Sequence, residues 1–376
     1  MRFLYIGRIS WCMADAASIR VHNIGAMLKS QGHEVDYICQ EGTVPNGRIL
    51  HGGSVCYGVF DEKTTKPQML WEWLFGKGAI RCLKRLLKTE HYDGLILYNT
   101  PITTAKKAQK LCRKNGIAIF GDVTEWYDLN PSKGLASYIH AWLVDRRIRF
   151  FDPKCDGIIA ISPYLENYYR GKVPVFNLPP VFEGEGHPNS SQNQCPGFLY
   201  AGSPSKKDDL YTFLEAVKEI NCEQVRVEMT VIGAPIPSDK EQLAEKGIQF
   251  HSRMPHEAIL EALGTHDFSV LLRPKARYAM AGYSTKVAEA LHNGTPVFCN
   301  EIGGADVDIR DGFNGIKLCS TDIEAVKEAL LRVIQMTPEE MTEIKRNAFG
   351  FGRDKYSGKH YERSLSEFMT RQSRKP

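Results

Sequence analysis

The sequence lacks the long apolar segments that mark membrane-spanning and secreted proteins. No run of about 18 consecutive apolar residues occurs, and the N-terminal stretch MRFLYIGRIS has neither the basic flank nor the apolar core of a signal peptide. Hydrophobic residues make up 43% of the chain, which is ordinary for a globular protein. The sequence therefore predicts a cytoplasmic globular protein.

Cysteine spacings typical of metal or redox sites are also missing. The ten cysteines lie at irregular intervals between Cys12 and Cys319, with no C-x-x-C pair and no histidine at metal-ligand spacing. We interpret them as reduced and mostly buried. The formal net charge of +4 is too small to indicate a nucleic-acid partner, but it is compatible with an anionic substrate or membrane surface.

The glycine fingerprints of common nucleotide-binding loops are absent as well. After the first predicted strand comes Gly7-Arg8-Ile9-Ser10, and no further glycine follows until Gly25. The G-x-G-x-x-G spacing of dinucleotide-binding proteins therefore does not occur there. This disfavours an NAD-dependent enzyme, and we expect no cofactor.

The chain has the length and alternation of two α/β domains. Its 376 residues exceed the roughly 250 to 300 that share one hydrophobic core. Strand and helix signals alternate in both halves, which is typical of parallel sheets covered by helices. The stretch PPVFEGEGHPNSSQNQCPG, residues 179–197, loses this periodicity and reads as a linker. We predict domains at 1–185 and 186–350.

Predicted strands end in small or polar residues, where ligands collect in open α/β sheets. The strands expected are 2–7, 34–39, 94–98, 117–120 and 157–161 in the first half, and 198–200, 226–232, 248–250, 268–272 and 296–299 in the second.

The stretch AGYSTKVAEALHNGTPV, residues 281–297, reads as a loop, a helix and a strand. The helix should begin near Ser284 or Thr285, whose side-chain oxygens are suited to cap it, and end at Asn293-Gly294. Such a helix N-terminus presents backbone N–H donors and a positive dipole end to a ligand above the sheet. Phosphate is the usual ligand there.

Basic residues crowd this predicted helix N-terminus, where they oppose the helix dipole. Arg273, Lys275, Arg277 and Lys286 make sense there if an anion binds, and the alternative is that they are solvated surface charges. Glu289 lies about one turn into the helix, within reach of a ligand over its N-terminus. The alternative for Glu289 is an exposed helix acid.

A second strand, small-residue turn and helix occurs at YAGSPSKKDDLYTFLEA, residues 200–216. Gly202 permits a close backbone approach, and Lys206 or Lys207 is placed to contact a phosphate. The turn matches neither common glycine-loop motif, so this signal is weak by itself.

Candidate catalytic and substrate-contacting residues lie in the first half. Asp122 and Glu125 follow a predicted strand end in DVTEWYD and are candidates to orient a substrate hydroxyl, although Trp126-Tyr127 beside them suits plain packing. A long loop leads through Asp15 into a helix carrying Ser18 and Arg20, which we expect to contact a substrate.

Residues 69–90, MLWEWLFGKGAIRCLKRLLKTE, place aromatic residues before a basic amphipathic segment. Such a helix is able to lie in a membrane interface, and the alternative is an ordinary helix that covers the sheet. The first interpretation predicts peripheral contact with the inner face of the plasma membrane.

Together, the second-half motifs resemble the donor domain of retaining glycosyltransferases of family 4. The resemblance is carried by FLYAGSPSKKDDL, VIGAP, FHSRMPHEAILEAL, DFSVLLRP and GYSTKVAEALHNGTPVFCNEIGGADVDIRDGFNG, which span nearly all of residues 198–320 in the family's order. The first half is similar more loosely, through ASIRVHNIGAMLKSQGHEV and DVTEW.

The resemblance implies a GT-B fold, α/β, in which two Rossmann-like doubly wound parallel-sheet domains face a central cleft. It also implies that residues 351–376 return to the first domain. The expected activity is metal-independent hexosyl transfer, with retention, from a nucleotide diphosphate sugar to a glycan or lipid-linked acceptor, as in bacterial surface polysaccharide synthesis. A nucleotide-sugar epimerase and a non-catalytic sugar-nucleotide-binding scaffold remain alternatives.

The family's site residues map onto this chain only in part. Glu289 matches the second acid of the family's motif of two glutamates separated by seven residues, the one that holds the nucleotide ribose, whereas Ala281 stands where the family has the first, sugar-contacting acid. Ser203 replaces a diphosphate-binding arginine, and Arg273 is a candidate to replace its charge. The expected donor-binding residues are Gly202, Lys207, Arg253, Met254, Arg273, Gly282, Tyr283, Ser284, Thr285, Lys286 and Glu289. Asp306-Val-Asp308 imitates a D-x-D metal motif, but the family uses this loop without metal.

Overall fold

The computed structural model describes residues 1–9, 16–40, 48–51, 53–60, 64–130, 134–204 and 208–374. The chain divides into two compact units. The first consists of Met1–Val181 together with Gly358–Pro376, and the second of Phe182–Ser357. None of the described helices is long and apolar enough to cross a membrane.

The first unit is built on an eight-stranded sheet in the order β3-β4-β2-β1-β5-β6-β7-β8. Its strands are β1 Arg2–Gly7, β2 Glu34–Cys39, β3 Arg48–His51, β4 Ser54–Gly58, β5 Gly94–Tyr98, β6 Ala118–Val123, β7 Gly157–Ala160 and β8 Val175–Asn177. Neighbours pair in parallel except β3 with β4, which form an antiparallel edge. The central β1 is buried on both faces, as its run of apolar residues requires.

Helices cover both faces of this sheet. The segment Met1–Val181 contributes the helices α1 Ala16–Ser30, α2 Lys66–Phe75, α3 Lys77–Leu86, α4 Ile102–Lys114, α5 Leu135–Phe150 and α6 Pro163–Tyr169. Among them, α4 contacts α2, α3 and α5, and α2 also contacts α3.

The second unit has a six-stranded parallel sheet in the order β11-β10-β9-β12-β13-β14. Its strands are β9 Gly197–Ala201, β10 Glu228–Ile232, β11 Ile248–His251, β12 Phe268–Leu271, β13 Val297–Asn300 and β14 Gly315–Leu318. Its helices are α7 Leu210–Ile220, α8 Lys240–Glu245, α9 His256–Thr265, α10 Arg277–Ala281, α11 Thr285–His292, α12 Ile323–Ile334 and α13 Pro338–Tyr356. Phe198, Phe213, Phe268 and Phe298 meet in its core with ring centroids 5.4 to 5.7 Å apart.

The last helix, α14 Gly358–Ser373, belongs to the first unit. It packs against α1 and β6, and its Leu365 and Met369 are fully buried in the first unit's core. The first unit is therefore assembled from both ends of the chain.

The α/β architecture with two parallel sheets that the sequence predicts is confirmed. Four strands lie outside the predicted set: β3 and β4 at one edge of the first sheet, and the short strands β8 and β14.

Residues 69–90 depart from the expected single amphipathic helix and form α2 and α3. The break lies at Gly76, whose φ of 56° is left-handed and suits glycine. The Glu72 carboxylate then accepts hydrogen bonds from the backbone N–H groups of Gly78 (2.6 Å) and Ala79 (2.8 Å), so it stabilises the start of α3.

Candidate functional site

The second unit gathers polar side chains where its strand order reverses. Strands β9 and β12 are neighbours, and from them the chain proceeds to opposite edges of the sheet. In such sheets a crevice lies outside the carboxyl ends of these two strands. Gly202 follows β9 directly and Arg273 follows β12 closely, so both lie at this edge.

A buried carboxylate, Asp208, joins the residues of this edge. It accepts hydrogen bonds from Arg273 Nε (2.8 Å), Lys286 Nζ (2.9 Å) and the Tyr200 hydroxyl (2.8 Å). The backbone N–H of Asp209 also donates to the Leu272 carbonyl (2.8 Å), which fixes the entrance of α7 beside β12. We call Arg273 and Lys286 around Asp208 the cation cluster.

Gly202 is required for the close approach of Lys286. Its φ of 140° lies in a region that side chains rarely adopt, and a Cβ at this position would lie 2.7 Å from Lys286 Nζ. The ammonium also sits 4.0 Å from the ring centroid of Tyr200, a cation–π contact. Lys286 is thus held between β9 and its own helix.

The charges of the cation cluster shift one another's proton affinities. Burial acts to raise the pKa of Asp208, but Lys286 and Arg273 outweigh it and hold that pKa below its ordinary value. Burial lowers the pKa of Lys286, with Asp208 opposing and Arg273 reinforcing the shift. With Asp208 ionised, two cations share one carboxylate, which leaves an excess positive charge for an anionic ligand.

The backbone of Arg273 is fixed by a residue from the next strand. Asn300, the last residue of β13, accepts from the Arg273 N–H and donates to the Arg273 carbonyl, both at 2.8 Å. This reciprocal pair holds the start of the loop after β12 in place, so that the guanidinium is positioned from two sides.

The N-terminus of α11 has a buried polar atom that the described residues do not satisfy. Ser284 occupies the N-cap position, but its side chain makes no capping hydrogen bond, contrary to the capping role expected for it. Its Oγ is buried and has no hydrogen-bond partner among the described residues. Thr285 and Lys286 open the helix beside it, so a hydroxyl, free backbone N–H groups and an ammonium occur together.

Glu289 lies one turn further along α11. Its side chain is 16% exposed, and its Oε1 lies 3.0 Å from Nε2 of His256, the first residue of α9. Burial raises the pKa of Glu289 to about 7, with Lys286 opposing the shift. The exposed-acid alternative therefore does not describe Glu289, because its carboxyl is largely removed from water.

Arg253 and Met254 lie in the turn between β11 and α9, next to His256. Arg253 is exposed and Met254 is half-buried. Because His256 contacts Glu289, the structure brings this turn to the side of α11.

Tyr283 anchors the loop before α11. Its hydroxyl hydrogen-bonds Asp308 and lies 2.7 Å from the Tyr356 hydroxyl, and burial together with both partners raises its pKa. The side chain is therefore engaged inside the second unit. The predicted contact of Tyr283 with the nucleotide sugar is thereby limited to its backbone. Gly282 links it to the end of α10.

The two aspartates of the D-x-D sequence are held by other protein groups. Asp306 accepts from the Gly304 N–H (2.7 Å) and lies 3.6 Å from Lys317 Nζ, whereas Asp308 binds Tyr283. Within the described ranges, no group of three or more histidine, cysteine, aspartate or glutamate side chains is placed to hold a metal ion.

In the first unit, two predicted site residues pair with each other. Arg20 donates to Asp122 from Nε (3.0 Å) and Nη2 (2.8 Å), and it donates to the Leu178 carbonyl from Nη1 (2.9 Å). Tyr5 adds a hydrogen bond of 3.2 Å to Asp122. Both charges are buried, which corrects the expectation that Asp122 and Arg20 face an acceptor directly, because burial of either charge requires the other.

Glu125 is the more accessible of the two predicted catalytic acids. It is half-buried and accepts a hydrogen bond from the Tyr127 hydroxyl, whereas Trp126 packs inward and donates to Asp145 (2.9 Å). Ser18 is fully buried near the start of α1. Asp15 and Lys207 lie outside the described residues.

The residues predicted from the sequence do not include three contributors to the second-unit site, Asp208, Asn300 and His256. Asp208 lies within the KKDDL segment, but its role depends on the cross-sheet contacts with Arg273 and Lys286. Asn300 and His256 likewise act through tertiary contacts. A polar residue directly after a predicted strand was the available signal for Asn300.

Two family models match the chain, one in each half. The model described as Glycosyltransferase Family 4 matches residues 17–177, and the model described as Glycosyl transferases group 1 matches residues 195–336. Together they cover most of both units. No curated protein sequence matches the chain.

Solved structures share the fold over nearly the whole chain. A sucrose-phosphate synthase from Thermosynechococcus elongatus has a TM-score of 0.74 at 14% identity, covering 98% of both chains. HepE of Anabaena, in complex with UDP-glucose, has a TM-score of 0.64 at 11% identity, covering 99% of this chain and 100% of that chain. WaaG, a glycosyltransferase involved in lipopolysaccharide biosynthesis, has a TM-score of 0.62 at 14% identity, covering 99% and 98%.

Proposed function

Because the chain belongs to the group 1 and family 4 glycosyltransferases and has the GT-B fold, we propose that it moves a sugar, with retention, from a nucleotide diphosphate sugar to a glycan or lipid-linked acceptor. The reaction proposed is hexosyl transfer without metal or cofactor, in bacterial surface polysaccharide synthesis. The solved complex of HepE with UDP-glucose supports a nucleotide sugar as donor.

The observation that carries this proposal is the cation cluster beside the Ser284 hydroxyl, which has no hydrogen-bond partner in the part of the chain that the structure describes. Breaking the bond between sugar and diphosphate leaves negative charge on the departing phosphate. Fixed cations and helix N-terminal N–H groups stabilise that charge without reorganising. Arg273, Lys286, Ser284 and the start of α11 are the groups we assign to it, and Asp208 holds the two cations in place.

For the rest of the donor we propose roles that follow the same geometry. Glu289 accepts from the ribose hydroxyls, because it lies one turn from the proposed diphosphate position on the same helix. The turn at Arg253 and Met254, which lies beside it, contacts the base. Ala281 leaves the transferred sugar without the first acid of the family's motif, so sugar selection depends on other groups.

On the acceptor side we propose Glu125 as the residue that orients the acceptor hydroxyl, since it is the half-exposed acid after β6. Asp122 and Arg20 act as a buried pair that positions the β6 end and α1. We also propose that the protein is cytoplasmic and binds the inner face of the plasma membrane through residues 69–90.

A donor screen by thermal shift tests the site. UDP-, GDP- and ADP-sugars are titrated against the wild-type protein and against R273A, K286A and the control R346A, which removes an exposed arginine of α13. We expect one nucleotide class to raise the Tm with concentration. R273A and K286A should lose that shift and R346A should keep it. Equal shifts in all four proteins would contradict the assignment.

Product analysis separates transfer from the two rival activities. With the stabilising donor and a panel of lipid-linked and oligosaccharide acceptors, we expect a glycosylated product that keeps the donor's anomeric configuration. An epimerised free nucleotide sugar formed without acceptor would instead identify an epimerase. Donor binding with neither transfer nor hydrolysis over the whole panel would identify a binding scaffold, a reading that Ala281 and Ser203 motivate.

A further inference from the structure

Helix α5 exposes four large apolar side chains along its outer side. Leu135 is 75% exposed, Ile139 42%, Trp142 40% and Phe150 49%. At 100° per residue these positions fall within about 80° of arc, and they extend over about 22 Å of helix. We call these four residues the outer stripe.

The buried part of α5 holds it against the rest of the unit. Ala141 and Ile148 are buried opposite the outer stripe and Leu143 is buried beside it, together with the charged residues Asp145 and Arg147. A surface helix normally turns a polar face outward, so the apolar side chains on the outer side of α5 depart from the usual pattern. Single exposed apolar residues are common, but a stripe of four over four turns indicates an interaction surface.

A cation lies within the outer stripe. The Arg146 guanidinium carbon lies 5.3 Å from the Trp142 ring centroid and 5.0 Å from that of Phe150. Arg146 has no carboxylate partner among the residues that the structure describes, whereas Arg149 is paired with Asp145 at 2.9 Å. Its charge is therefore available to an anionic partner that also accepts the neighbouring rings.

The helices beside α5 add a positive field. Helices α2 to α5, which we call the basic helix layer, contain thirteen lysines and arginines, of which only Arg147 is buried. They contain two carboxylates, Glu72 and Asp145, and both are bound by protein groups. Since the whole chain carries only +4, its positive charge is concentrated on this layer.

Helix α2 extends the apolar surface next to α5. The rings of Trp73 and His140 meet with centroids 5.1 Å apart, so α2 and α5 are in contact. Leu70 and Trp71 of α2 are exposed, and Trp71 stacks on Phe75 with centroids 5.0 Å apart.

We propose that α5 lies flat in the headgroup region of an anionic bilayer, with the outer stripe entering the acyl boundary and Arg146 on the lipid phosphates. The cations of α2 to α4 supply the longer-range attraction. This surface extends the membrane contact proposed above through residues 69–90, and it does not depend on the transfer reaction. A nucleic acid would leave Leu135 and Ile139 without a partner, and a second copy would bring two positive layers together.

Vesicle sedimentation tests the proposal. The full chain is mixed with phosphatidylcholine vesicles that contain or lack phosphatidylglycerol. We expect binding only to the phosphatidylglycerol vesicles, falling with added salt. The double variant I139E/W142E should bind at least about tenfold more weakly, because both changes bring carboxylates to the lipid boundary. The control I236E changes an isoleucine of the second unit that is 49% exposed and should bind like wild type.

Trp142 reports the depth of insertion. Wild-type emission should shift to shorter wavelength on vesicle binding, and W142F should lose the part of that shift that comes from Trp142, while still sedimenting; the exposed Trp71 of α2 contributes the rest. Sedimentation of I139E/W142E equal to wild type would overturn the assignment to α5. The assignment would also be overturned if the wild-type protein formed a dimer that I139E/W142E dissociates and I236E does not. Binding of single-stranded RNA by the wild-type protein in preference to vesicles would overturn it as well. Donor-induced thermal shifts of the same variants should remain unchanged. Loss of membrane binding is thereby distinguished from loss of donor binding.

Discussion

Two buried carboxylates of the second unit show how neighbours decide the charge of a residue. Asp208 has two cations within hydrogen-bond distance, so its pKa falls despite burial. Glu289 has Lys286 a turn away and His256 as a hydrogen-bond partner, and burial raises its pKa to about 7. The same side-chain chemistry therefore gives a fixed counter-ion in one place and a titrating group in the other.

Glu289 should make stability depend on pH. Its pKa is higher in the folded chain than the ordinary 4.5, so the folded state holds a proton that the unfolded state releases between about pH 4.5 and 7. The free energy of unfolding therefore falls as pH rises through this window. Glu289→Gln has no carboxyl group to titrate, so its free energy of unfolding does not fall in this way. The free energy of unfolding of the variant relative to that of wild type should therefore rise by at most about 3 kcal/mol across the window.

Urea unfolding at several pH values between 4.5 and 7.5 measures this difference. The matched control is Glu257→Gln, the same change at an exposed position of α9. Parallel curves for wild type and Glu289→Gln would refute the assigned shift. If Glu289 also holds the ribose, donor affinity should increase with pH in wild type and become independent of pH in the variant.

Asp208→Asn should expose the repulsion within the cation cluster. Arg273 and Lys286 would lose their shared counter-ion, and we expect the free energy of unfolding to fall by about 2 to 3 kcal/mol. A bound diphosphate replaces the missing charge, so the stabilising nucleotide diphosphate should raise the Tm more in this variant than in wild type.

Thermal unfolding with and without nucleotide checks that rescue. Asp209→Asn is the control, because Asp209 accepts from Thr212 and not from the cation cluster. A smaller ligand shift in Asp208→Asn than in wild type would mean that Asp208 does not act as the counter-ion of the cluster.

Sequence patterns predicted Glu289, Lys286 and Arg273 as site residues because a helix N-terminus and a strand end are local features. They did not identify Asp208, since its three partners are separated from it by 8 to 78 residues. The pairing of Arg20 with Asp122, over 102 residues, was missed for the same reason. Roles that arise from long-range ion pairs follow only once the sheet order is known.

At the level of elements, helix α11 is positioned by a close contact with α13. A Cβ at Gly352 would lie 2.0 Å from the Leu291 carbonyl oxygen, so the helices touch backbone to backbone at this point. The orientation of Lys286 and Glu289 therefore depends on a glycine in another helix.

Gly352→Ala should cost stability, whereas Gly350→Ala should add some. At Gly352 the methyl group has no space, and forcing the helices apart costs about 1 to 3 kcal/mol. At Gly350, in the same helix, a Cβ meets nothing within 4 Å, so alanine should stabilise by about 0.5 to 1 kcal/mol through helix propensity. Equilibrium denaturation of the pair checks the sign. Equal effects would refute the backbone contact.

Elements with continuous apolar runs were predictable, and those set by context were less so. The predicted bounds of β1, β2 and β5 agree with the structure, since each is buried on both faces. The separation of α2 from α3 depends on the left-handed Gly76 and on Glu72 folding back onto the start of α3, a contact that periodicity does not encode.

At the scale of the whole molecule, each unit has its own core, but only the second is continuous in sequence. The core of the first unit is complete only with α14, which comes from the far end of the chain and has Leu365 and Met369 buried beside β1 and β6. The alternation of strands and helices predicts two sheets. It does not predict which unit the last helix joins, because that depends on where the apolar side chains of α14 are buried. The proposed donor residues all lie in the second unit.

These separate cores should give two thermal transitions that respond to different changes. Leu365→Ala removes a fully buried side chain of the first unit and should lower that unit's transition, by the equivalent of about 2 to 5 kcal/mol. The stabilising nucleotide diphosphate should raise the other transition, because the proposed donor residues all lie in the second unit. Scanning calorimetry of wild type and Leu365→Ala, with and without nucleotide, resolves the two effects. A nucleotide that raises the transition lowered by Leu365→Ala would contradict a donor site confined to the second unit.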